Sequence, residues 1–514
     1  MSGLLRRVAS VLMRRMHPSP AAGDDSTVVH GPGGRRIVVL AAVLAIAGFV
    51  VRTPRQLEYD SFVIFEGIQE LLRWLASGRE GQLGQIGPFP PFQYLTGLIA
   101  EAAYAMGVRL PTSFVWTSSS SLSFGGLAVL TFQAVRRRTS PQAAWLAVGL
   151  MLSGPFVTYC TSTYNELPAA LLTAGLVVAA AGAGGPGACA ALFVASALTK
   201  ETAVPLLALA WVGALFARPK PVDRAEFTRH AAALLAAVAG SLVVHAAFNL
   251  LRFGVPWNAI YLGPGMLVHR WDHRLLAFLG LWFAPNGGLW VFATGICLAI
   301  TVLGVYAIAR FRRQNSLRAL VPAAAGVAIL AVATMGLSAW HSPFGWWCWG
   351  PRLMLPWLPA VLLLVILAEP DFFERCCRWV TRGRRRVIAS FLMFVLALPH
   401  ALSLSDAGIF NWFFAADVAW RYPADQANSE PVQAVRRHLT WTLDPLMIAH
   451  PLRLLADPTR AWPAVLYSAA VAALLWAGRP ASSDSRQAVA GGGFPASQVR
   501  PRPRREIRLF RPRI

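Results

Sequence analysis

The chain has 514 residues, of which 56% are hydrophobic and 14% charged, where soluble domains carry roughly 25% charged residues. With a mean hydropathy of +0.50, that balance excludes an ordinary soluble globular protein. The net charge of +23 invites a nucleic-acid reading, but its distribution along the chain argues for topology instead.

Residues 1–36 form a basic cytoplasmic arm, followed by a first apolar run over 37–52. Val51-Arg52-Thr53-Pro54 stands where a small-x-small cleavage site would follow a signal peptide, so the run reads as a retained anchor. Further apolar stretches, long enough to cross a hydrocarbon layer of roughly 30 Å, fall at 114–135, 142–159, 167–183, 187–199, 203–217, 231–250, 288–309, 319–340, 353–369, 387–404 and 462–478. Six segments, Arg6–Arg36, Arg136–Arg138, Arg218–Arg229, Arg310–Arg318, Arg375–Arg386 and Arg479–Arg513, hold 32 of the 47 basic residues. They lie between alternate apolar runs, the signature of cytoplasmic loops. Twelve crossings place all six on one side together with both termini.

Residues 91–107, opened by Pro90-Pro91-Phe92 and interrupted by Glu101, are expected to lie along the outer leaflet. The outer face then carries 53–113, 251–287, 341–352 and 405–461, the last expected as a loop or small cap. Residues 479–514 read as a disordered basic cytoplasmic tail. The fold class is therefore all-α: a polytopic membrane helical bundle of about 12 transmembrane helices with a large first extracytoplasmic loop.

The six cysteines show neither a CxxC pair nor metal-ligand spacing. No HExxH, P-loop, GxSxG or dinucleotide glycine pattern is present, which leaves the common soluble-enzyme chemistries without an anchor. Chemistry-bearing residues instead collect at the outer ends of the apolar runs. Glu58-Tyr59-Asp60 follows the first span; Asn165 and Glu166 occupy one outer turn, Lys200 and Glu201 the next. Arg252 follows the 231–250 span, and His341, Trp346, Trp347 and Arg352 link two later ones.

A carboxylate in a partly desolvated cleft can take a proton from a hydroxyl, which suits Asp60 or Glu166. Lys200 and Arg352 can hold a phosphate. Simpler roles stand beside these: Asp60 as a helix cap or solvated loop residue, Glu166 capping its helix or pairing with a cation, Lys200 paired with its neighbour Glu201. The tryptophans before Arg352 equally suit an interfacial belt.

The order of these elements resembles bacterial membrane glycosyltransferases of the GT-C class, relatives of protein O-mannosyltransferases and of the lipid A aminoarabinose transferase. The resemblance runs over residues 37–370 through Tyr59-Asp60-Ser61, Phe89-Pro90-Pro91-Phe92-Gln93-Tyr94, Tyr164-Asn165-Glu166-Leu167-Pro168, Leu198-Thr199-Lys200-Glu201-Thr202, Asn249-Leu250-Leu251-Arg252-Phe253-Gly254 and Phe283-Ala284-Pro285-Asn286-Gly287-Gly288-Leu289. Its most distinctive piece is Gly350-Pro351-Arg352-Leu353-Met354-Leu355-Pro356, with Leu353 where the pattern has an aromatic residue. Glu58 and Asp60 are split by Tyr59, whereas many relatives carry adjacent acidic residues.

The resemblance implies a GT-C-like catalytic core over 37–404, a polyprenyl-phosphate-linked sugar as donor, and inversion at the anomeric carbon. Asp60, with Glu58 as the other nearby acid, would be the general base. Lys200, Arg352 and Arg252 would bind the donor phosphate. Glu166 would position the acceptor or a divalent metal ion, on which relatives differ. Tyr59, Tyr94, Asn165, His341, Trp346 and Trp347 would contact substrate. The implied setting is the bacterial cytoplasmic membrane with the site facing outward, membrane lipids and a glycan, lipid or protein acceptor as partners, and no nucleic acid. With two lysines among 47 basic residues, the chain has the residue usage of a GC-rich bacterial genome. Two rival readings are a flippase for lipid-linked sugars, which would need polar residues through the full membrane depth, and a non-catalytic envelope-assembly subunit.

Overall fold

The computed structural model describes residues 59–77, 89–107, 112–160, 162, 164–182, 184–263, 267, 269, 271–284, 287–314, 317–340, 350–404 and 447–477. The expected first span, the 405–446 part of the expected cap, the arms at both ends, Glu58, His341, Trp346 and Trp347 lie outside that set. The described residues are helical apart from turns and one antiparallel bridge between Leu267 and Trp340.

In chain order the helices are α1 (Tyr59–Ala76), α2 (Pro91–Ala105), α3 (Thr112–Arg136), α4 (Pro141–Leu152), α5 (Glu166–Ala181), α6 (Pro186–Thr199), α7 (Val204–Phe216), α8 (Arg224–Phe253), α9 (Trp271–Phe283), α10 (Leu289–Phe292), α11 (Thr294–Gln314), α12 (Leu317–Ser338), α13 (Leu358–Ala368), α14 (Pro370–Val380), α15 (Gly383–Leu404) and α16 (Pro458–Ala477). Their starts follow ordinary capping chemistry. Ser140 accepts from the Ala143 N–H with Pro141 in the first turn of α4, and Asp223 accepts from the Glu226 N–H at 2.7 Å to open α8. Gly254, at φ +71°, closes α8 in the left-handed conformation that glycine adopts without strain.

Five helices among the described residues, α8, α11, α12, α15 and α16, are long and apolar enough to cross a membrane. Others expected to span are shorter: α6 has 14 residues and α7 has 13, or about 21 Å and 20 Å of helix. α13 is apolar on every side, and all of its residues from Leu358 to Leu367 are buried, so it forms the middle of the bundle. At Glu369 the chain turns by 100° into α14, where Pro370 cannot continue the helix and Arg310 pairs with Glu369 at 2.7 Å.

With lipid as solvent, close van der Waals packing supplies most of the helix–helix attraction. Gly213 of α7 lies against α12 so tightly that a Cβ there would meet the Ala325 Cβ at 2.6 Å.

The arginine-rich segments within the described set share one end. Arg138 donates through one guanidinium nitrogen to the carbonyls of Ala217 and Leu367, both at 2.6 Å, and through the other to that of Ala181. These carbonyls end α7, α13 and α5, so one cation satisfies the last turns of three helices and meets the negative ends of their dipoles. Burial pushes the Arg138 pKa down to about 10, which leaves it charged at neutral pH. Arg318 reaches the carbonyls of Arg218 and Pro219, and Glu374 accepts from the Ser140 N–H at 3.0 Å. These contacts define a basic end of the bundle.

Candidate functional site

At the opposite end three side chains from distant segments meet. Glu166, the first residue of α5, is 1% exposed and accepts a hydrogen bond from the Lys200 ammonium at 2.9 Å through Oε1. Arg352 brings its Nε to 3.5 Å from the same oxygen, and its guanidinium lies over the Tyr164 ring at 4.1 Å from the centroid. One carboxylate between two cations leaves a net charge of +1. Lys200 is the most open of the three at 18% side-chain exposure, against 9% for Arg352.

Local structure explains the meeting. The Asn165 side-chain amide donates to the Thr199 carbonyl, tying the start of α5 to the end of α6. The Ser120 hydroxyl of α3 donates to the Tyr164 carbonyl at 3.0 Å, and that of Ser121 to the Cys160 carbonyl. Lys200 breaks the helical path with φ −149° and ψ 113°, and Pro205 prevents α6 and α7 from merging. Lys200 is extended while Glu201 opens a single 3-10 turn, and their side chains diverge, Lys200 to Glu166 and Glu201 to Arg252. The Lys200–Glu201 pairing open to the sequence is replaced by Lys200–Glu166.

Gly350 sets the Arg352 turn. It takes φ +67°, and a Cβ on it would lie 2.4 Å from the Phe292 ring. Gly350→Ala is expected to destabilise by about 2 kcal/mol through left-handed strain and overpacking, with a lower thermal midpoint in detergent as the measurement. A midpoint equal to wild type would remove this role.

Glu201 instead serves a second network. The Arg252 guanidinium donates to Glu201 at 2.5 Å, to the Phe89 carbonyl at 2.6 Å and to Asn249 Oδ1 at 2.6 Å, between the rings of Phe248 and Phe253. Asn258 donates to the other Glu201 oxygen at 3.0 Å. Arg252, expected at the donor phosphate, thus joins α8, the Lys200–Glu201 turn and the segment leading into α2. Tyr94, expected at substrate, is buried with its ring 5.5 Å from that of Phe248. Burial raises the Tyr94 pKa, against the pull of Arg252, so it is a neutral wall of this network. Asn165, also expected at substrate, is buried in its tie to Thr199.

Tyr59 and Asp60 lie in the first turn of α1, and their side chains are outside the described set, as are Glu58, His341, Trp346 and Trp347. Sequence reasoning missed Tyr164 as the partner of Arg352, and Asn258 and the Phe89 carbonyl as partners in the second network. Only Tyr164 carried a signal, as an aromatic residue two positions before Glu166. Among the described residues no three His, Cys, Asp or Glu side chains gather as metal ligands. Glu166, already facing two cations, is a poor donor to a divalent ion.

No family model matches this chain, and no curated protein matches it. Among solved structures, the crystal structure of ArnT from Cupriavidus metallidurans bound to undecaprenyl phosphate is 16% identical, covering 90% of this chain and 82% of that one, at a TM-score of 0.47. Its apo-state crystal structure has the same identity and coverage at a TM-score of 0.45. A likeness of that degree decides neither reaction nor substrate.

Proposed function

We propose that this chain is an integral membrane glycosyltransferase of the GT-C class, moving a sugar from a polyprenyl-phosphate carrier to an acceptor hydroxyl at the outer face of a bacterial cytoplasmic membrane. Residues 37–404 form the catalytic core in this reading, with 405–461 as an extracytoplasmic loop or small cap. The observation that supports it best is the Glu166–Lys200–Arg352 cluster, two cations gathered on one buried carboxylate at the end of the bundle away from the arginine-rich segments. A lipid-borne donor explains why such a cation cluster needs no nucleotide-binding domain. The tail stays in hydrocarbon while the headgroup reaches the charges.

In the transfer, the acceptor oxygen attacks the anomeric carbon from the face opposite the phosphate. Its proton passes to the Asp60 carboxylate, and the bond from the anomeric carbon to the phosphate oxygen breaks. The electron pair leaves with the polyprenyl phosphate, and the configuration inverts. Lys200 and Arg352 hold the phosphate where negative charge grows. Glu166 is the shared anchor that keeps both cations in place.

Membranes containing the protein, supplied with a polyprenyl-phosphate-linked labelled sugar, are expected to release free polyprenyl phosphate and to label an envelope acceptor. Asp60→Asn is expected to lower that rate at least tenfold. Translocation of the intact donor without cleavage would identify a flippase instead, and an unchanged rate in the Asp60 variant would remove the base.

A further inference from the structure

α8 is built inside out. Its lipid-side residues are apolar and exposed, among them Leu235, Leu242, Val243 and Leu250, while its buried residues include Ser241, His245, Asn249 and Arg252. Spaced by four, four and three residues, these four form one face of a helix, and α8 packs this side against α6. Turning polar groups inward from lipid is what any membrane helix does, so burial alone says little about function.

The partners say more. His245 Nε2 is 2.9 Å from the Ala197 carbonyl. A carbonyl only accepts, so Nε2 carries the proton. The same carbonyl accepts the Lys200 backbone N–H at 3.1 Å, closing the last turn of α6. One turn above His245, Asn249 accepts from Arg252, and Arg252 in turn donates to Glu201. A single face of α8 therefore grips both sides of the break that turns Lys200 toward Glu166. Below this grip, His245 Nδ1 and Ser241 Oγ are buried without hydrogen-bond partners among the described residues. A histidine kept only for packing gains nothing from such an arrangement, because an apolar side chain of similar size would fill the space without an orphaned nitrogen.

We propose that His245 is a positioning residue, holding the Ala197 carbonyl so that the Lys200 ammonium faces the donor phosphate without itself touching substrate. The inference rests on the transferase reading above. His245→Leu is expected to raise the donor KM at least fivefold while the acceptor KM stays within twofold. His245→Gln, whose amide nitrogen can take the place of Nε2, is expected to stay within twofold of wild type for both. His245→Asn, too short to reach Ala197, is expected to behave like the leucine variant and replaces it if that chain does not fold. Normal donor KM in folded leucine or asparagine variants, or a glutamine variant as impaired as they are, overturns the inference.

Binding of undecaprenyl phosphate in detergent separates the two ideas. Wild-type protein that binds this lipid but transfers no sugar sinks the transferase reading, and His245 is then judged by whether the leucine or asparagine variant weakens binding at least fivefold. Wild-type protein that binds none of it overturns both.

Discussion

Glu166→Gln is expected to lower stability by about 3–5 kcal/mol, the usual cost of removing one member of a buried ion cluster. Glutamine keeps the shape and can still accept from Lys200, so the loss is electrostatic. Two cations, one 9% and one 18% exposed, would face each other without the carboxylate. The other Glu166 oxygen, Oε2, is buried with no hydrogen-bond partner among the described residues, and both cations approach the carboxylate through Oε1. Thermal or denaturant unfolding in detergent measures the effect. Glu166→Gln combined with Lys200→Met should cost less than the two single changes added together, because the pair in contact is removed as a unit. A single variant within about 1 kcal/mol of wild type would show that the cluster does not hold the α5 start.

The helical membrane class was legible because apolar run length and arginine placement are one-dimensional signals. Arg138, Arg218 and Arg318 do come together at one end. The use of Arg138 to satisfy three helix ends was hidden, since nothing in three consecutive arginines says which carbonyls lie within reach. Lys200 and Glu166 were singled out from their depth beside apolar runs, a property of the sequence. Their pairing was not legible: it depends on one extended residue at the α6–α7 break, and adjacency favoured Glu201. The Arg252 network was hidden for a related reason. Its neighbours in space, Phe89 and Glu201, come from segments far away in the chain.

Lys200→Met is expected to lower transfer by about 100- to 1,000-fold, the range seen when one donor to a developing negative charge is removed. Methionine keeps much of the apolar stem, so the change isolates the ammonium. Without it, Glu166 and Arg352 cancel, and the net +1 that would meet a phosphate disappears. Arg352 cannot replace it alone, because its guanidinium is committed to the Tyr164 face and to the same carboxylate. Charge then predicts an order that shape does not. Lys200→Met brings the cluster to zero, while adding Glu166→Gln restores +1 through Arg352, so the double variant should recover part of the donor affinity lost by the single one. Donor KM and kcat for the three chains test this. A Lys200→Met chain that transfers at the wild-type rate, or a double variant that binds donor more weakly than Lys200→Met, would remove the net positive charge as the basis of donor binding.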